Sequence, residues 1–69
     1  MKSIYDIQQF LKQYGTIIYI GDRLADLELM EEELCELFKS QLIEPRHFQT
    51  AMLLLRQEIE REKEKRLSK

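Results

Sequence analysis

The chain has no tryptophan, one cysteine, one histidine, one proline and two glycines in 69 residues. Each scarcity closes a route. A single cysteine, Cys35, excludes an internal disulfide and a thiolate metal cage. The sole histidine, His47, has no second histidine or cysteine at ligand spacing, so no zinc site is expected. So little glycine and proline disfavours a turn-rich β fold and favours long helices. The longest apolar runs, Ile17–Ile20 and Ala51–Leu55, are far shorter than a membrane span. Met1-Lys2-Ser3 leads directly into an amphipathic segment with no continuous apolar stretch, unlike a signal peptide. A soluble, cytoplasmic protein without a membrane partner is therefore expected.

What is present is a mixed-charge chain of one domain, near the lower size limit for folding without staples. Hydrophobic residues make up 43% and charged residues 35%, enough apolar side chains for one continuous core. The net charge is −2 but its sign is uneven. Residues 22–44 carry eight acids against Arg23 and Lys39, whereas residues 56–69 carry six bases against four glutamates. A duplex-DNA coat needs a dense cationic face, so that class is disfavoured. A helix-turn-helix reader is disfavoured too, because the acidic middle helix would face a polyanion.

Three apolar stripes at helical spacing predict an all-α, compact antiparallel three-helix bundle. The first helix spans about 3–14. Ser3 is its N-cap, Asp6 completes an approximate capping box, and Gly15 is a left-handed C-cap. Its inward stripe is Ile4, Ile7, Phe10, Leu11 and Tyr14, with Tyr5, Gln8, Gln9 and Lys12 opposite. Residues 16–21 form an apolar, β-branched connector that lacks a strand partner, expected as a loop with one side buried. The second helix spans about 22–42, with Asp22 as N-cap and a stripe from Leu24 to Leu42. The third spans about 45–66, starting at Pro45, and its stripe ends at Ile59. Beyond Ile59 a long charged segment projects from the core. Its attractive and repulsive i,i+4 pairs nearly cancel, which predicts a solubilising, fraying end.

The strings Tyr5-Asp6-Ile7-Gln8-Gln9 and Tyr14-Gly15-Thr16-Ile17-Ile18-Tyr19-Ile20-Gly21-Asp22-Arg23-Leu24-Ala25-Asp26-Leu27-Glu28-Leu29-Met30 are distinctive. Together they resemble the YqgQ-like family of small bacterial proteins, over nearly the full chain. The resemblance implies a three-helix bundle from a Gram-positive cytoplasm. It supplies no reaction and no catalytic residues; single-stranded nucleic-acid binding is the one activity it suggests.

No catalytic or cofactor constellation is evident, so a non-enzymatic binding protein is expected. Cys35 lies between Glu33 and Glu36, an acidic setting that disfavours a reactive thiolate. Glu31-Glu32-Glu33 fan out around a helix instead of converging on a cation, so no metal is expected. Gly21-Asp22-Arg23 lacks the further glycines of a phosphate loop. Two surfaces remain. Tyr5, Gln9 and Lys12, extended by Tyr19 and Arg23, offer a stacking ring, amides and cations for single-stranded RNA or DNA, with Lys63, Lys65, Arg66 and Lys69 able to add phosphate contacts. Leu29, Leu53 and Leu54 fall off their stripes and suit a protein partner or self-association. The connector could equally bury these leucines.

Overall fold

The computed structural model describes residues 1–67, which form α1 (Ile4–Lys12), α2 (Arg23–Lys39) and α3 (Pro45–Leu67). The all-α three-helix bundle expected from the stripes is what the chain adopts. Lys69 lies outside the described residues. Ser3 caps α1, its Oγ accepting the Asp6 N–H. The Asp6 carboxylate in turn accepts the Lys2 N–H at 2.8 Å. Asp22 caps α2 through Oδ2 and the Ala25 N–H at 2.9 Å. Both carboxylates sit at helix N-termini, where the exposed amides and the dipole favour negative charge.

Helices α1 and α2 end earlier than the stripes suggested. Gly15 adopts φ +82° and closes α1, with the Thr16 N–H donating to the Leu11 carbonyl. At the end of α2 the same geometry appears without glycine: Gln41 takes φ +59°. The Gln41 N–H donates to the Phe38 carbonyl, and the Leu42 N–H donates to the Leu37 carbonyl. This is a Schellman closure, which satisfies the last carbonyls of the helix. Leu42, expected on the buried stripe, is consequently turned out and 58% exposed. Ile43 is buried in its place.

The core is one cluster. Ile7 and Leu11 from α1 meet Leu27, Met30 and Leu34 from α2, and Ala51, Leu55 and Ile59 from α3. The α2–α3 pair forms the largest interface, and α1 packs more lightly on both. At the turn end, Phe38 and Phe48 stack at 4.3 Å with an interplanar angle of 11°. Phe10 meets Tyr14 at 5.4 Å and the edge of His47 at 5.8 Å. His47 is thus half-buried against an α1 ring.

These contacts also fix direction. Phe10 near His47 and Tyr14 Oη bonded to the Leu42 carbonyl put the end of α1 beside the α2–α3 turn. Helix α3 is therefore antiparallel to both α1 and α2, while α1 and α2 run the same way. The connector makes that possible by returning along α2. Thr16 Oγ1 donates to Glu33 Oε1 at 3.1 Å, and the Ile20 N–H donates to Asp26 Oδ1 at 2.8 Å. Asp26 and Glu33 are two helical turns apart, about 10 Å along α2. Four residue steps of extended chain cover about 13 Å, enough to span that distance. Gly21, at φ +93°, then reverses the chain into the α2 cap.

Past Ile59 the third helix carries no fully buried side chain among the described residues. Its last turn is nevertheless anchored: Arg66 Nη2 donates to Asp22 Oδ1 at 2.7 Å. The expectation of a fraying end considered only pairs within the helix and missed this contact to the α2 cap.

Candidate interaction surface

The connector is the most apolar exposed segment. Ile17 is 78%, Tyr19 85% and Ile20 59% exposed, while Ile18 packs against the core. A one-sided burial was expected, and the segment does alternate. Thr16 and Ile18 turn toward the helices, Ile17 and Tyr19 away, as side chains do along an extended run. Ile20 faces water as well, because its N–H is pulled onto Asp26. Among the described residues, the backbone groups of Ile17, Ile18 and Tyr19 have no hydrogen-bond partner. An exposed row of such groups is a template for pairing with another chain.

Beside this segment lies a groove of about 220 Å³. Its α1 bank is Gln8, Gln9 and Lys12, its opposite bank is Thr16, Ile17 and Ile18, and Leu11 and Met30 line it from the core. Lys12 is exposed and faces no carboxylate among the described residues. The groove is smaller than the roughly 300–1,000 Å³ of sites for drug-sized ligands.

Of the five residues proposed for nucleic acid, Gln9 and Lys12 line this groove and Tyr5 does not. Tyr5 points outward, 65% exposed, and Gln9 and Lys12 follow on the same exposed face of α1. Tyr19 and Arg23 are not part of the groove lining. Tyr19 sits on the strap that runs along acidic α2. Arg23 points its guanidinium at Glu58, 3.5 Å away. Of the three off-stripe leucines, Leu53 stays 61% exposed and Leu29 36%. Leu54 packs half-buried against the core, beside a hollow it shares with Ile4. The connector leaves Leu53 uncovered. What sequence reasoning passed over were Gln8, Ile17 and Ile20, although the period-2 alternation of residues 16–19 marked half of that segment as outward.

The remaining chemistry is sparse. Cys35 is half-buried at the edge of the core. Among the described residues no group of His, Cys, Asp or Glu could hold a metal ion, and no helix is long and apolar enough to cross a membrane. The two perturbed carboxylates serve the helix caps. The Lys2 backbone bond holds Asp6 below its ordinary value, with Ser3 assisting. The Ala25 backbone bond does the same for Asp22, with Arg66 assisting.

Comparison with known proteins agrees with the motifs. The YqgQ-like family model matches residues 1–61. A curated Bacillus subtilis (strain 168) protein, described as uncharacterized protein YqgQ, is 43% identical over 63 residues. That match spans 91% of this chain and 89% of the relative. With both the family model and a relative matched over most of its length, the chain belongs to the YqgQ-like family.

Proposed function

We propose that the protein is a non-catalytic protein-interaction module that engages its partner through the connector. One observation carries this reading: Ile17, Tyr19 and Ile20 present apolar side chains to water, on a strap whose backbone groups at Ile17, Ile18 and Tyr19 have no partner among the described residues. Large apolar side chains gathered on an otherwise charged surface are the usual mark of a binding face. The test is a photo-crosslinking amino acid placed at Tyr19, with Glu60 as a surface control, in growing cells. Discrete adducts from position 19 and none from position 60 are expected. Silence at position 19 removes the proposal. Ultracentrifugation separates self-association from a foreign partner, because only the former gives a mass that rises with concentration.

A second reading, binding of single-stranded RNA or DNA, is favoured by the outward Tyr5 ring above Gln9 and Lys12. Bases stack on such rings, and lysines neutralise phosphate. The geometry supplies few free cations for it: Arg23 is occupied by Glu58, and the strap bearing Tyr19 runs along acidic α2. Labelled oligonucleotides at low and moderate salt decide the matter. Binding must weaken with salt and fall on Tyr5→Ala and Lys12→Ala. No binding at low salt removes this reading.

A further inference from the structure

We infer that the groove between α1 and the connector receives the carboxy-terminal end of a partner polypeptide in extended form, its main chain adding to the connector and its terminal carboxylate meeting Lys12. This rests on the interaction reading above and names the occupant of the same surface. Three features converge on one ligand chemistry.

The first is backbone. Ile17, Ile18 and Tyr19 offer N–H and C=O groups without partners among the described residues, and two of the three border the groove. The residues on either side are tied down, Thr16 to Glu33 and Ile20 to Asp26. An extended chain added to such an edge gains main-chain hydrogen bonds, while pockets beneath select its side chains. An edge tied at both ends also has less entropy to lose on pairing.

The second is the lining. Leu11 and Met30, both essentially buried, supply an apolar base. Gln8 and Gln9 supply amide donors and acceptors on the far bank. This mixture suits a short peptide with one small apolar side chain directed inward. A volume of about 220 Å³ holds only a short stretch of chain. An internal segment would have to leave the groove at both ends, whereas a chain terminus enters from one.

The third is charge. Lys12 stands at the groove without a carboxylate partner among the described residues. Across the strap, Asp26 and Glu33 are already engaged by the connector. A carboxylate is thus welcome on the α1 bank and repelled on the α2 side, which orients the incoming terminus toward Lys12. A lysine meets it as a point charge, not as a bidentate fork.

The test is an NMR titration of the intact protein with acetyl-Val-Thr-Ile-Val bearing a free carboxylate. Two control peptides accompany it: the carboxamide, and a version N-methylated at alternate amides. The expected result is millimolar binding that shifts the amides of Leu11, Lys12 and Ile17–Tyr19 and slows hydrogen exchange in the connector. The carboxamide should bind about two- to fivefold more weakly, as loss of one exposed ion pair implies. Lys12→Ala should erase that difference while leaving the fold intact, since its side chain is exposed. The N-methylated peptide should not bind. Equal affinity for acid and amide, retained binding of the N-methylated peptide, or no shifts at all would overturn the inference. So would an oligothymidylate that moves these resonances when the peptide does not. The two proposals fail separately: crosslinks at Tyr19 without peptide binding reject this occupant and keep the interaction module, whereas absent crosslinks reject the module itself.

Discussion

The two connections between helices are opposite solutions to the same task. Residues 40–44 turn α2 into α3 with a Schellman closure, a buried Ile43 and a Phe38–Phe48 stack at 4.3 Å. Residues 13–22 take α1 back along the length of α2, exposing most of their apolar side chains. The short turn can hide Ile43, though not Leu42, because it sits between two ends that already touch. The long one must cover distance, so alternate side chains necessarily point outward. Stability therefore concentrates in the α2–α3 hairpin, and the proposed recognition surface in α1 and its return strap.

This contrast can be broken by substitution. Leu34→Ala, at a fully buried α2 position, should lower unfolding free energy by about 2–5 kcal/mol in a denaturant titration. For a domain this small that approaches the whole stability. Ile18→Ala, at the inward strap position, should cost less, about 1–2 kcal/mol, because Ile18 is only partly buried. Equal losses would mean that the strap is as integral as the hairpin. Native-state hydrogen exchange asks the same question without mutation: amides of α1 should open at lower free energy than those of α2 and α3.

Smaller effects sharpen the contrast at the helix ends. Gln41→Gly should stabilise the turn by about 0.5–1 kcal/mol, since glycine adopts a left-handed conformation without the side-chain penalty. Thermal unfolding would register it. The smallest effect is with pH. Asp6 and Asp22 have folded-state pKa values depressed below the ordinary 3.8, so their contribution is complete above that value. It is lost as pH falls below 3.8 and through the depressed folded values. Asp22→Asn should flatten the acid limb of the stability curve, measured at several pH values between neutral and strongly acid.

Most of the architecture was readable because its signals are local. Ser3, Gly15, Asp22 and Pro45 act within one turn of themselves, and the stripes of α1 and α3 mark the side chains that reach the core, Tyr14 excepted, which lies past the end of α1 and is exposed. The end of α2 was not readable, because a glutamine occupies the left-handed position and Leu42 continues the apolar spacing in sequence. The bond from Arg66 to Asp22 joins residues distant along the chain, so no i,i+4 rule could find it. At the surface, Tyr5, Gln9 and Lys12 share an exposed face of α1, as helical geometry required. The groove was invisible because it depends on the path of the strap, which the β-branched run alone does not specify.

That path carries an arithmetic consequence. Nine residues coiled at about 1.5 Å each rise about 13 Å, nearly the reach of the five extended residues that travel back. The two stretches are cut to a common length, like the arms of a clasp. Adding one coil to the first helix lengthens it by about 5.4 Å. The return would then need roughly two further residues, or Gly21 would fall short of the position from which Asp22 starts the next helix.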